Sequence, residues 1–405
     1  MAMNTPSGPD IGPVFQALKP DVRDEPESGI IRVANYAWQA EDAIKLWVGE
    51  GDLPTPQFIC DAASAAMARG ETFYTWQRGI PQLREALGRY HARLFGVPND
   101  AENYFVTGGG MQAIHLALQA IAGAGDEVVI PSPAWPNYAA PMRMLQIKPV
   151  EVPMLFEAGT WQLDLDRLFD AVTDKTRAIC LNSPSNPLGK VTSPEELIAV
   201  RDFCRRRGIW LLGDEVYSRF YYPGEGDNRT VAPSLLECCE PEERLILANT
   251  FSKNWAMTGW RIGWLQAPQS IGQVVENLIQ YNTSGVASFM QSAAAVALDE
   301  GEPFMAQQVE RAQTGLNIVL DTLGARADVQ YQRPEGAFYF FFRVEGMDSS
   351  ETTTRRMIDE AGVGLAPGTA FGPGGEDGWY RLCFARSHES LQTAMERICT
   401  WLDKR

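Results

Sequence analysis

Between residues 104 and 250 the chain alternates short apolar runs with segments of helical spacing, and that alternation leaves few folds open. Residues 104–107, 127–131, 147–153, 177–182, 209–213 and 245–249 read as strands. The last two are continuously apolar, as strands covered on both faces are. Helical intervals recur over 111–121 and 163–172, and Ser193 with Glu196 forms a capping box for a helix ending near Arg207-Gly208. Strands separated by helices build a mainly parallel sheet with right-handed crossovers. The expected fold class is α/β: a large domain whose mainly parallel sheet is flanked by helices.

The flanking segments differ. Residues 46–56 read as a short strand entering a Gly/Pro loop, and an alanine-rich helix is expected over 57–69. Pro81 opens another helix, with Leu83, Leu87, Tyr90 and Leu94 on one face and Gly96 just past its end. Beyond residue 300 a long helix over 304–323 leads to strands near 329–332, 337–343 and 379–385, and a helix from about Glu389 closes the chain. The expected organisation is an extended N-terminal arm over 1–29, a small α+β domain from 30–59 and 301–405, and a large domain over 60–300.

Composition excludes several functions. The 405 residues are 45% hydrophobic and 21% charged, a globular balance, and the formal charge of −16 disfavours binding to nucleic acid or an anionic membrane. Seven cysteines lie scattered without metal-ligand spacing, which points to reduced thiols and a cytoplasmic setting, and three separated histidines give little material for a metal site or a histidine triad. No run reaches membrane-span length, and residues 1–29 lack a basic-then-apolar leader pattern.

Chemistry is concentrated where apolar runs end. In an α/β sheet, ligands sit at the carboxyl ends of strands, where helix N-termini face anions. Gly108-Gly109-Gly110-Met111 joins a strand to a helix and has bare amides for a phosphate, although a tight structural turn fits equally well. Asp214 and Tyr217 follow a buried run, and a buried carboxylate needs a partner: a helix cap, an ion pair, or a protonated ring nitrogen. Asn186 sits in the Asn182–Gly189 loop, and Trp135 follows another strand with a face that can stack on a planar ring. Arg381 is a lone charge in an apolar strand, where arginine grips a carboxylate with both arms of its fork. Lys253 stands between Thr250, Ser252 and Arg261; a desolvated, cation-rich setting lowers an amine's pKa for Schiff-base chemistry, though alone it fits a solvated lysine beside a structural arginine.

Taken in order, these pieces resemble the class I/II aminotransferase family of fold-type I pyridoxal-phosphate enzymes, from about residue 30 to the end. The matching features are Gly49; Tyr74 in Tyr74-Thr75-Trp76-Gln77-Arg78-Gly79; the glycine turn; the Pro-x-Trp loop; Asn186-Pro187; Asp214 to Tyr217; Lys253 with Arg261; and Arg381. The resemblance implies an enzyme that uses pyridoxal 5'-phosphate to move an amino group between an L-α-amino acid and a 2-oxo acid by a ping-pong route. Lys253 would form the internal aldimine and shuttle a proton. Asp214 would pair with the ring nitrogen, Tyr217 and Asn186 with the 3-oxygen, and Trp135 would stack on the ring. Gly110, Met111, Thr250, Ser252 and Arg261 would hold the phosphate, with Tyr74 reaching the neighbouring site of a homodimer. Gly49, Trp135, Asn186 and Arg381 would face the substrate.

Three departures stand out. Leu188 occupies the threonine position of the family's Asn-Pro-Thr-Gly loop, and Gly51 stands where a proline is common after the Gly-Glu pair. Met111 replaces a lysine that some aspartate-specific relatives carry, which weakens the case for a dicarboxylic substrate. Segments 334–339 and 367–371 resemble family segments near the substrate side chain without assigning specificity. A β-eliminating C–S lyase on the same scaffold is the alternative reading. A cofactor-sensing regulator would need a DNA-binding extension, for which the short acidic N-terminal stretch leaves no room.

Overall fold

The computed structural model describes residues 12–404 apart from 39, 41, 98, 99, 348 and 377. Seven strands form the principal sheet: β1 (Tyr104–Thr107), β2 (Glu127–Ser132), β3 (Lys148–Pro153), β4 (Thr176–Asn182), β5 (Trp210–Asp214), β6 (Leu245–Thr250) and β7 (Gly263–Gln266). Their order is β1-β7-β6-β5-β4-β2-β3. Neighbours from β6 through β3 run parallel, whereas β7 is antiparallel to both β1 and β6. The α/β class and the mainly parallel sheet are as expected; its one antiparallel member, Gly263–Gln266, is a strand that apolar periodicity does not reveal. Only Trp264 and Leu265 are apolar in it, between a glycine and a glutamine, so it presents no apolar run.

Helices cover both faces. Gly110–Ile121 buries Ala113, Ile114, Ala117 and Leu118 on one side, and Pro194–Arg207 turns Leu197, Val200 and Cys204 to the other. The capping box forms as anticipated: Ser193 Oγ accepts from the Glu196 amide over 3.1 Å, and Gly208 ends the helix in the left-handed region at φ 66°. The helix expected over 163–172 is shorter, Leu165–Asp170, with Asp164 as its cap.

A second sheet follows in the C-terminal third: β8 (Val329–Tyr331), β9 (Tyr339–Val344), β10 (Ala366–Pro367) and β11 (Trp379–Cys383), in the antiparallel order β8-β9-β11-β10. Helices Glu302–Thr322 and His388–Leu402 pack on it through Met305, Leu316, Leu391 and Met395. Ile44–Lys45 pairs in parallel with Val363–Gly364, which joins the N-terminal segment to this body. Residues 1–11 of the arm expected over 1–29 lie outside the described residues. Over 13–23 the arm is not extended: Pro13–Gln16 and Pro20–Arg23 are short helices, each opened by proline at its first position. Glu25 then pairs with Arg143 over 2.6 Å, tying the segment to the principal body of its own chain.

Candidate active site

The carboxyl ends of β1, β2, β4, β5 and β6 converge on one edge of the principal sheet. The antiparallel β7 adds Arg261 to the same edge, because its start lies where the others finish: Gly263 pairs with Thr107 and with Thr250. A cavity of about 260 Å³ opens there, lined by Gly49, Gly110, Met111, Trp135, Asn186, Asp214, Tyr217, Thr250, Ser252, Lys253, Arg261 and Arg381. Twelve of the thirteen residues singled out in the sequence thus meet in one place. Tyr74 is apart from them and 94% exposed.

At one end the chain is built for an anion. Helix Gly110–Ile121 begins without a side-chain cap, so its first amides are left to a ligand. Thr250 Oγ1 and Ser252 Oγ lie 2.9 Å apart beside it, and the exposed Arg261 guanidinium is steadied by donating to the Thr258 carbonyl over 2.7 Å. The turn leading in requires glycine: Gly109 has φ +91° and ψ 172°, and a Cβ there would fall 2.7 Å from Arg261 Nη2.

Asp214 lies buried in the cavity wall. Tyr138 Oη donates to its Oδ2 over 2.6 Å and the Val216 amide to its Oδ1 over 3.2 Å. Burial pushes the carboxyl up to about 6, against the opposing pull of these two donors and of Lys253. The adjacent Glu215 turns away, accepting from Ser234 Oγ over 2.7 Å and from the Leu235 amide over 2.9 Å. Only the first carboxylate of the Asp-Glu pair therefore serves the cavity.

Lys253 follows Thr250 in the four-residue helix Phe251–Asn254 and donates to the Gly49 carbonyl over 2.6 Å. Burial lowers its ammonium to about 8; Arg381 and Arg261 push it the same way, while Cys383 and Glu50 oppose. The free, nucleophilic base is therefore far more populated near neutrality than in an ordinary lysine, though still the minority form.

Arg381 is buried at the other end. Its Nη1 donates to Asn186 Oδ1 over 2.8 Å and its Nη2 to the Trp47 carbonyl, while its Nε is buried with no partner among the described residues. The guanidinium lies between the rings of Tyr339 and Phe371, 4.5 and 4.9 Å from their centroids. Since Asn186 Oδ1 is committed to Arg381, its Nδ2 is the group left to donate. Trp135 stands edge-on to Tyr138, with centroids 5.7 Å apart at 86°.

Sequence reasoning assigned no role to five lining residues: Ile30, Ile114, Tyr138, Val216 and Tyr339. Tyr138 stands three positions after Trp135, and its amide donates to the Trp135 carbonyl over 3.1 Å in a turn that brings both residues to the cavity. Tyr339 ends the 334–339 segment that resembled the family near its substrate.

The arrangement suits a flat, phosphate-bearing aldehyde: an uncapped helix end with two hydroxyls and a guanidinium, a buried carboxylate, an indole, and one low-pKa amine. Fold and site together define a fold-type I pyridoxal-phosphate enzyme that transfers amino groups. The chain belongs to the class I and II aminotransferase family, whose sequence model matches residues 41–398. It is 37% identical over 378 residues to an aspartate aminotransferase of Pyrococcus horikoshii, spanning 92% of this chain and 93% of that one. An aromatic-amino-acid aminotransferase of Thermococcus litoralis is 35% identical over 92% of this chain and 94% of its own. Among solved structures, a single mutant of Thermus thermophilus aspartate aminotransferase superposes with a TM-score of 0.87 at 32% identity, covering 95% of this chain and 99% of that chain. Family members use pyridoxal 5'-phosphate, and nothing in these likenesses favours the lyase alternative. Among the described residues no helix is long and apolar enough to cross a membrane.

Proposed function

We propose that the cavity holds pyridoxal 5'-phosphate and carries out transamination between an L-α-amino acid and a 2-oxo acid by a ping-pong route. The observation that carries this reading is the partly desolvated Lys253 amine, held by Gly49 in the same cavity as buried Asp214 and between the two arginines' anion sites. The amides of Gly110 and Met111, the hydroxyls of Thr250 and Ser252, and Arg261 would hold the phosphate. Asp214 would keep the ring nitrogen protonated, Tyr217 and Asn186 would donate to the 3-oxygen, and Trp135 would cover the ring. When bound, the cofactor supplies the electron sink that makes an amino acid's Cα–H bond acidic. The chain's own part is placement: Lys253 accepts and returns a proton at Nζ, and Arg381 fixes the α-carboxylate so that this amine faces Cα. Gly49 and Asn186 border the carboxylate site.

The expected division into a large cofactor-binding domain over 60–300 and a small domain from 30–59 and 301–405 suits this use, because Arg261 stands just before a strand of the principal sheet and Arg381 on a strand of the second. A cytoplasmic homodimer is the proposed working form. Its support is an exposed aromatic set, Phe73, Tyr74, Trp76 and Tyr281, exposed by 82, 94, 64 and 87%. In such a dimer Tyr74 would reach the partner's phosphate site, so Tyr74→Ala is expected to weaken cofactor retention at concentrations where the wild type sediments as a dimer.

The test of the activity is single-turnover. Purified protein mixed with amino acids and no 2-oxo acid should lose the visible absorbance of its lysine-bound cofactor and release one equivalent of 2-oxo acid per site. Unchanged absorbance with every amino donor overturns the reading. Continuous release of pyruvate and ammonia from a thioether amino acid, with no acceptor, points instead to the eliminating lyase.

A further inference from the structure

We infer that Tyr339 is a positioning residue that joins the two ends of the substrate site: its hydroxyl donates to Tyr217, and its ring face supports the Arg381 guanidinium. The inference rests on the roles proposed above for Tyr217 and Arg381, and goes beyond them in coupling the two.

The sheet register creates the contact. Phe341 on β9 lies directly opposite Arg381 on β11, and Tyr339, two residues back on the same face, lies opposite Cys383. A diagonal neighbour across an antiparallel pair is within reach of a long side chain. The Arg381 carbon accordingly sits 4.5 Å from the Tyr339 ring centroid. The phenol is fully buried, and its oxygen lies 2.6 Å from that of Tyr217. The backbone of Gly49 presses against the same hydroxyl, since a Cβ there would fall 2.5 Å from Tyr339 Oη. Gly49 in turn accepts from Lys253. One phenol thus touches the carboxylate grip, the ring-oxygen grip and the loop that holds the amine.

Of two hydroxyls in contact, one donates and the other accepts. Arg381 lies 4.5 Å over the Tyr339 ring whereas Lys253 lies 6.0 Å over that of Tyr217, so the nearer cation draws more electron density from Tyr339 and makes it the better donor. Tyr217, accepting from Tyr339, keeps its own proton free for the cavity, and a hydroxyl that accepts a hydrogen bond donates a stronger one. A stronger donor to an oxyanion holds the unprotonated form of a lysine-bound chromophore to lower pH.

The Tyr339→Phe variant keeps the ring and removes only the hydroxyl. The pH midpoint of the visible band of the lysine-bound cofactor should rise by about one unit, the size expected for one lost hydrogen bond. The amino-acid KM should stay within about threefold, because the ring still faces Arg381. Tyr339→Leu should show the same rise in midpoint and, in addition, a KM raised roughly tenfold. Removing both hydroxyls (Tyr217→Phe with Tyr339→Phe) should shift the midpoint no further than Tyr217→Phe alone, since Tyr339 acts through Tyr217. A Tyr339→Phe midpoint equal to that of the wild type, or an additive double variant, overturns the coupling. Truncating a buried ring also loosens the strand, so the Phe variant decides the matter. A wild-type protein that binds the cofactor without a pH-dependent band overturns the underlying site reading instead, and that failure is visible before any variant is made.

Discussion

Tyr138 donates a 2.6 Å hydrogen bond to Asp214 from 76 residues away in the chain, and both groups are buried. The phenol opposes the burial that pushes the carboxyl up to about 6. In the role proposed for it, Asp214 must be ionised to pair with a protonated ring nitrogen, so this one donor would help decide the pH at which the site works.

Replacing Tyr138 by Phe removes that donor without opening a large hole. A hydrogen bond to a charged group contributes about 1.5–3 kcal/mol, which corresponds to about one to two pK units. The shift is upward, because the charged form loses its support. Cofactor affinity at neutral pH should fall, and its dependence on pH should move to higher values, measured by fluorescence titration of the apoenzyme.

Lys253 gives a second pH signature. Its folded-state pKa of about 8 lies below the ordinary lysine value of 10.5, because burial penalises the charged amine. Capture of cofactor needs the free base, so the bimolecular rate should rise with pH through a midpoint near 8. Between about 8 and 10.5 the unfolded chain binds more protons at this position than the folded one, so the contribution of Lys253 to apoprotein stability becomes more favourable as pH rises. Lys253→Met should lack that slope and be the more stable apoprotein below pH 8, as differential scanning calorimetry would show. Lys253→Ala should still bind cofactor through the phosphate contacts while losing the visible band and transamination; retained transamination would contradict the role given to Lys253.

Arg381→Ala should raise the amino-acid KM by roughly a hundredfold, the loss expected for a two-pronged charged hydrogen bond, with cofactor stoichiometry unchanged. Arg381→Lys should recover little, because an ammonium cannot present the planar fork. Equal KM values for wild type and Arg381→Ala would remove Arg381 from the carboxylate site.

Gly109→Ala should weaken the phosphate end alone. A side chain at φ +91° and ψ 172° costs about 1–3 kcal/mol of strain, and its Cβ would displace the Arg261 guanidinium. The expected result is a melting temperature a few degrees lower and a tenfold or larger rise in cofactor Kd. The amino-acid KM of the fully loaded enzyme, which rests on Arg381, should be untouched.

Residues at the ends of apolar runs were legible in the chain itself. Asp214, Arg381 and Lys253 stand out because a charge beside buried strands demands a partner, and the Ser193–Glu196 box announces its helix by spacing alone. Tyr138 and Tyr339 were not legible as partners. Their hydrogen bonds span 76 and 122 residues, and a tyrosine among apolar neighbours carries no mark of where its hydroxyl points. Strand β7 escaped notice because only Trp264 and Leu265 are apolar between Gly263 and Gln266, and the arm's short helices because each spans only four residues. Their order comes from contacts elsewhere, such as Glu25 with Arg143.

The surroundings of Arg381 bear on which molecules the enzyme turns away. Its partners are two neutral oxygens and two aromatic faces, so a full positive charge is held in a dry place without a counter-charge among its hydrogen-bond partners. An amine that lacks a carboxylate would bring a second cation to that end of the cavity and find repulsion where an amino acid finds attraction. With Arg381 in the role proposed for it, polyamines and simple alkylamines are expected to be poor amino donors, kept from the lysine by a group that never touches their nitrogen.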